Sequence, residues 1–348
     1  MRIKVGNRKI KQAGNDTGVR TRQNTRVLNI LYVTFPFFAL VLTGFVAAHR
    51  RWLPLDAIAG LNGFVLYFAL PCLLFRFGSE APIVQLLDVT LFLAYALCAL
   101  LMVAFVVAVS LNQRIGWNDA SFGALVAAFP NTGFMGVPLL VALLGPAAAG
   151  PAIVTIVVDM LITTSLCVAL SRLDGADEQG ARRAAKNALQ GVLMNPMPWA
   201  ISLGAVFSAT QYELTGPLAK TVALLADAAS PVALFTIGAV LARSQIRVNE
   251  SGHAPMVWRD YLPVALFKLV LHPLLVLLVL ASAVQLGFHI DRFSLMVVVL
   301  VASLPSASNV ALLSERFDAD TGRIARIILV TTAAAFLTFS GAVALLTH

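Results

Sequence analysis

The chain is a succession of apolar runs, each about as long as a bilayer is thick, and this leaves few folds open. A membrane span needs ~20 mostly apolar residues. Such runs, bounded by charges or Pro/Gly clusters, lie near residues 28–48, 57–77, 84–112, 120–144, 149–171, 192–210, 218–242, 261–286, 293–314 and 324–346. Of the 348 residues 59% are hydrophobic and 12% charged, whereas soluble domains carry about 45–50% and about 25%, so a soluble fold could not cover this much apolar surface. The expectation is an all-α polytopic membrane protein of ten transmembrane helices.

A net charge of +8 would suit a nucleic-acid partner if it were spread over the molecule. It is not, because residues 1–26 hold eight Lys/Arg against Asp16 and the rest of the chain is nearly neutral. Nucleic acid is not implied. Cys72, Cys98 and Cys167 fall within spans, too far apart for a zinc pattern, and read as small apolar residues; no metal site is expected.

Apart from Lys268, which lies within a span, the Lys/Arg outside the tail sort onto alternate loops, thirteen on one side and three (Arg76, Lys220 and Arg292) on the other. Positive loops stay in the cytoplasm, which places both chain ends outside a cytoplasmic (inner) membrane. The basic tail of residues 1–26 opposes that orientation and reads as disordered. A native start at Val27 would remove the conflict, and a peptide covering residues 5–20 from the native host would sink that idea.

The ten runs divide five and five about the charged segment 172–191, giving repeats over 27–171 and 192–348. The halves share punctuation: Pro71 in the second run answers Pro231 in the seventh, and Pro130 in VAAFPNTGF answers Pro305 in VASLPSASN. With an odd number of spans per half the repeats must be inverted, and breaks at corresponding positions of inverted halves point to a transporter's binding site. Pro130 has no N–H and its ring meets the carbonyl of Val126, so the fourth helix opens; Pro138 follows about two turns on. Freed backbone groups are tolerated in hydrocarbon only where protein or a polar cavity meets them. Asn131, Thr132 and Gly133 at one break, with Ser306, Ser308 and Asn309 at the other, are the expected polar lining. If the two breaks cross, two helix N-termini converge, a setting that suits a carboxylate.

At these residues the chain resembles the auxin efflux carrier family. The resemblance spans nearly all of residues 27–348 and is carried by LYFALPCLLF, PNTGFMGVPLL, NPMPW, SPVALFTIGAVLA, FKLVLHPLL and LPSASNVALLSERF in that order. It implies two inverted five-helix repeats similar to bile acid/sodium symporters, with spans one, two, six and seven as a scaffold and the fourth and ninth helices crossing at their prolines. It also implies elevator-like movement of an organic anion. A homodimer through the scaffold helices would be compatible with it. The short 172–191 loop departs from the long cytoplasmic loop of plant members, so regulation by kinases through it is not expected.

Ionisable groups inside spans are functional suspects. Asp159 is a candidate for H⁺ or Na⁺ coupling or for an internal pair. Lys268 and His272, four apart on one helical face, offer a partner for Asp159, an attraction for the substrate anion, or an end that snorkels to an interface. Asp88 and Asp227 lie nearer span ends, where interfacial roles are expected. No GxxxxGK[ST], GxSxG or HExxH run occurs, so neither ATP hydrolysis nor an intramembrane hydrolase is favoured, and no cofactor is expected. A solute-sensing receptor on a transporter fold is the alternative to transport.

Overall fold

The computed structural model describes residues 28, 30–80, 88–173, 196–250 and 257–347. The basic tail and nearly all of the 172–191 loop lie outside them. Every regular element among the described residues is helical, as expected for chains that must satisfy backbone groups internally in lipid. The helices are α1 (Ile30–His49), α2 (Ala57–Glu80), α3 (Val89–Ser110), α4 (Trp117–Ala128), α5 (Thr132–Leu144), α6 (Pro146–Leu170), α7 (Pro196–Thr210), α8 (Gly216–Glu250), α9 (Leu262–Gln285), α10 (Arg292–Ala302), α11 (Asn309–Arg316) and α12 (Thr321–Leu346). Seven of them (α1, α2, α3, α6, α8, α9 and α12) are long and apolar enough to cross a membrane. The fourth and ninth apolar runs are each divided in two, α4/α5 and α10/α11.

Acidic caps fix several helix starts. Asp88 accepts the Leu91 N–H, Asp291 that of Ser294 and Asp320 that of Arg323, each meeting a donor that the first turn leaves unpaired. Asp88 is therefore a cap. Asp227 pairs with Arg76 at 2.6 Å on a partly exposed surface, where such a pair contributes little. Large apolar side chains such as Leu93 and Leu97 on α3 and Leu274 and Leu278 on α9 point outward, the pattern of a lipid-facing surface.

Two glycine contacts hold α1, α2, α7 and α8 together. A Cβ on Gly44 of α1 would strike the carbonyl of Phe235 on α8, and one on Gly238 of α8 would strike that of Val41 on α1. A Cβ on Gly204 of α7 would in the same way lie 2.6 Å from Phe75 O of α2, with Gly78 of α2 beside it. Only glycine admits backbones this close. Gly44 and Gly204, Pro71 and Pro231, and Gly78 and Gly238 are each separated by 160 residues. The remaining helices pack beside this group, α3 against α4, α6 and α9, and α12 against α8, α9 and α11.

Candidate functional site

The geometry of the site follows from the two prolines. Helix α4 ends at Ala128 and α5 begins at Thr132, while α10 ends at Ala302 and α11 begins at Asn309, so each break leaves a short extended stretch. The stretches lie antiparallel and pair with each other, Pro130 opposite Ser306. Asn131 N–H donates to Pro305 O at 2.8 Å and Ala307 N–H to Phe129 O at 2.9 Å. Backbone groups freed by one proline are thus satisfied by those freed by the other, which is how a broken helix survives in hydrocarbon.

At the start of α5, Thr132 N–H bonds Pro130 O at 2.8 Å, and Met135 and Gly136 N–H make the first turn's bonds to Asn131 O, at 3.2 and 2.9 Å. Pro130, Asn131, Thr132, Pro305, Ser306 and Ser308 are all buried, Gly133, Pro138 and Asn309 half-buried. Gly136 admits Leu304 of the other break, which would lie 2.5 Å from a Cβ there. The polar side chains stay only partly engaged. Ser306 Oγ and Thr332 Oγ1 are buried without a hydrogen-bond partner among the described residues. Thr132 Oγ1 has only a 3.5 Å contact to Pro130 O. Ser306 N–H reaches Thr331 Oγ1 at 3.3 Å, tying the crossing to α12.

A small cavity of about 10 Å³ adjoins the crossing, lined by Phe134, Ser308 and Leu312 on one side and by Asn62, Val65, Ala233, Thr236, Ile237 and Val240 of α2 and α8 on the other. It has room for about one water and not for a carboxylate of several atoms. Of the residues singled out from sequence, only Ser308 lines it. Asn62 and Thr236 were missed, although an Asn within the apolar run 57–77 was a visible signal.

The ionisable candidates form a second polar group beside the crossing. Asp159 is fully buried at the start of a π-turn in α6; Tyr95 of α3 donates to its Oδ2 at 3.2 Å and Thr163 to its Oδ1 at 3.0 Å. Tyr95 is a further residue that sequence reasoning missed, masked by the aromatic content of its run. Lys268 is fully buried as well, so it does not snorkel. No ion pair joins it to Asp159 among the described residues. Its Nζ donates to Ala302 O at 2.8 Å and lies 2.9 Å from His272 Nδ1. Ala302 is the last residue of α10, so the ammonium caps the carbonyl end of the half-helix that Pro305 terminates. The Tyr95 and His272 rings lie 6.4 Å apart, linking the two polar pairs, and His272 Nε2 is buried without a partner. Among the described residues no cluster of three or more His, Cys, Asp or Glu could hold a metal ion.

At the N-terminal end of α4, Arg323 is buried and bonds Asp260 O at 2.7 Å and Asp119 O at 3.0 Å, its guanidinium admitted by Gly123. Counted by sequence as a loop charge, it instead fastens the starts of α4, α9 and α12.

A helical, multi-pass membrane protein whose two interrupted helices pair through their backbones is built as a carrier. Residues 30–343 match the family described as Membrane transport protein, and the chain belongs to that family, the auxin efflux carriers that its motifs resemble. It is 28% identical over 310 residues to a Rhizobium meliloti protein named "Putative malonate transporter", covering 89% of this chain and 93% of that one. Similarity extends to the Escherichia coli protein named "Uncharacterized transporter YfdV", at 25% identity over 82% of this chain and 88% of that one. It also reaches the Arabidopsis thaliana "Auxin efflux carrier component 8", at 24% identity over 80% and 87%.

Proposed function

We propose that this chain is a secondary transporter that moves a small organic anion, a mono- or dicarboxylate, across the cytoplasmic membrane, with the substrate held where the broken helices cross. The observation that carries the reading is the mutual pairing of the two breaks. It creates a buried polar point from Asn131, Thr132, Ser306 and Ser308, with two half-helix starts beside it, and such starts favour anions. The relative named for malonate supports the carboxylate class.

On this reading the molecule has ten spans in two inverted five-helix halves, 27–171 and 192–348. The 160-residue spacing of Gly44/Gly204, Pro71/Pro231 and Gly78/Gly238 supports the repeat. So does the reciprocity of their contacts, in which the first helix of each half crosses the second helix of the other. The α1, α2, α7 and α8 group is the fixed scaffold and the rest moves against it. Because the cavity of about 10 Å³ between the two groups is too small for substrate, sliding of the crossing relative to α2 and α8 is the step that opens the site. Asp159, Lys268 and His272 are the candidates for ion coupling. Purified protein in vesicles preloaded with malonate should take up labelled malonate by saturable counterflow; absence of counterflow with every small mono- and dicarboxylate would overturn carboxylate transport.

A further inference from the structure

The cavity beside the crossing is small, but its two walls differ in chemistry. The wall made by α2 and α8 is apolar, Val65, Ile237 and Val240 among it, except at two side chains. Thr236 donates its hydroxyl proton to Val232 O, 2.7 Å away in its own helix. The Asn62 side chain makes no hydrogen bond among the described residues, and its half-buried amide offers two donors and an acceptor. From Ala57 to Phe75 it is the only side chain bearing an amide, a carboxyl, a basic group or an aliphatic hydroxyl. An unpaired amide in such a run carries a desolvation cost that an apolar residue would avoid, which makes it a suspect for binding.

The opposite wall belongs to the broken helix. Ser308 stands at the start of α11, where its hydroxyl does not cap the helix. It is 6% exposed and lines the cavity with no side-chain hydrogen bond among the described residues. The next N–H in the chain, that of Asn309, makes no hydrogen bond among them either. Unpaired donors at a helix start suit a carboxylate. One end of a solute is therefore provided for on α11, and across the gap a single uncommitted amide waits among apolar side chains on α2.

We propose that Asn62 is a substrate contact and sets the specificity of the carrier: with one carboxylate at Ser308 and the start of α11, the far end of the solute meets the Asn62 amide, which prefers a polar end to an apolar one. The inference rests on the carboxylate-transport reading above and adds to it a residue outside the broken helices. Malonate would set its second carboxylate against the amide. Propionate, of the same length, would set a methyl group there and leave the amide unpaired, and sites built to hydrogen-bond a group reject analogues that lack it.

The test is isothermal titration of the purified full chain with malonate and with propionate. Wild type should bind malonate at least about tenfold more tightly than propionate, the effect of one hydrogen bond to a charged group. Asn62→Leu should lose that preference, whereas Ser308→Ala should weaken both solutes and keep it. Equal affinities in wild type, no binding of either solute, or a preference that survives in Asn62→Leu would overturn the proposal. Wild-type affinities in Ser308→Ala would take the first carboxylate away from α11 and overturn it too. In each of these cases saturable counterflow of either solute would leave carboxylate transport standing, so the two readings fail separately. Should Asn62→Leu yield no folded protein, Asn62→Ala decides by the same ratio.

Discussion

A lysine sealed inside an apolar bundle needs acceptors, and Lys268 finds them in the carbonyl of Ala302 and the ring of His272. Its role is tied to the end of α10, so the cation sits beside the crossing without entering it. Asn131 is the counterpart on the other side. Its backbone is fully committed, N–H to Pro305 and carbonyl to Met135 and Gly136, while its side-chain amide makes no hydrogen bond among the described residues. Asn131→Ala therefore separates ligand binding from folding. We predict near-normal expression and thermal stability, with affinity for the transported carboxylate lowered roughly ten- to a hundredfold, the ~1.5–3 kcal/mol of a hydrogen bond to a charged group. Isothermal titration of the purified variant checks this, and wild-type affinity would remove Asn131 from the site.

The elements show a common device for accommodating proline. Of the four π-turns among the described residues, Val65–Ala69, Thr132–Gly136 and Phe267–Leu271 are each followed two residues later by a proline, Pro71, Pro138 and Pro273, and Asp159–Thr163 is not. Proline cannot donate to the carbonyl four residues back and its ring crowds it. Widening the preceding turn by one residue lets Leu70, Val137 and His272 donate five residues back instead, so the helix continues. Pro231 is carried inside α8 without such a turn, whereas at Pro130 and Pro305 the helix stops. Alanine at 130 would restore an N–H able to bond Val126 O, extend α4 and draw Phe129 O away from Ala307. Pro130→Ala and Pro305→Ala should each cut initial transport rates by about tenfold or more, with Pro36→Ala, inside α1, close to wild type; equal mild losses at all three positions would make these prolines ordinary kinks.

The breaks themselves were legible, since a proline followed by short polar residues inside an apolar run has few other meanings. The span limits were legible too: the run near 57–77 became Ala57–Glu80 and that near 261–286 became Leu262–Gln285. That the two breaks meet was implied by the family resemblance; the backbone bonds that join them, such as Asn131 N–H to Pro305 O, leave no local pattern in the sequence. For the same reason Arg323 looked like a loop charge until its partners Asp119 and Asp260, distant in sequence, were seen around it, and the bond from Lys268 to Ala302 O could not be read from either stretch alone.

At the scale of the whole molecule, transport asks that movement of the crossing be linked to an ion gradient or left unlinked, and Asp159 is where the link is testable. It lies in α6, is held by Tyr95 of α3 and Thr163, and adjoins through Tyr95 the His272–Lys268 pair of α9. Asp159 thus ties α6 to α3 and, through Tyr95, adjoins α9. Asp159→Asn keeps size and hydrogen bonding while removing the charge. In vesicles it should still exchange labelled for unlabelled substrate, yet fail to accumulate substrate when a pH gradient is imposed. Wild type indifferent to the gradient, or a variant that accumulates normally, would leave Asp159 as a structural anchor.

The paired breaks also say something about ancestry. Residues 27–171 alone would hold Phe129 O and the Asn131 N–H without acceptor or donor, and residues 192–348 alone would strand Pro305 O and the Ala307 N–H, at several kcal/mol for each group in hydrocarbon. Neither half closes without the other. On the proposed inverted repeat, a half-length ancestor, if duplication made this chain, needed a second copy, lying upside down beside it, before its own interrupted helix could be buried.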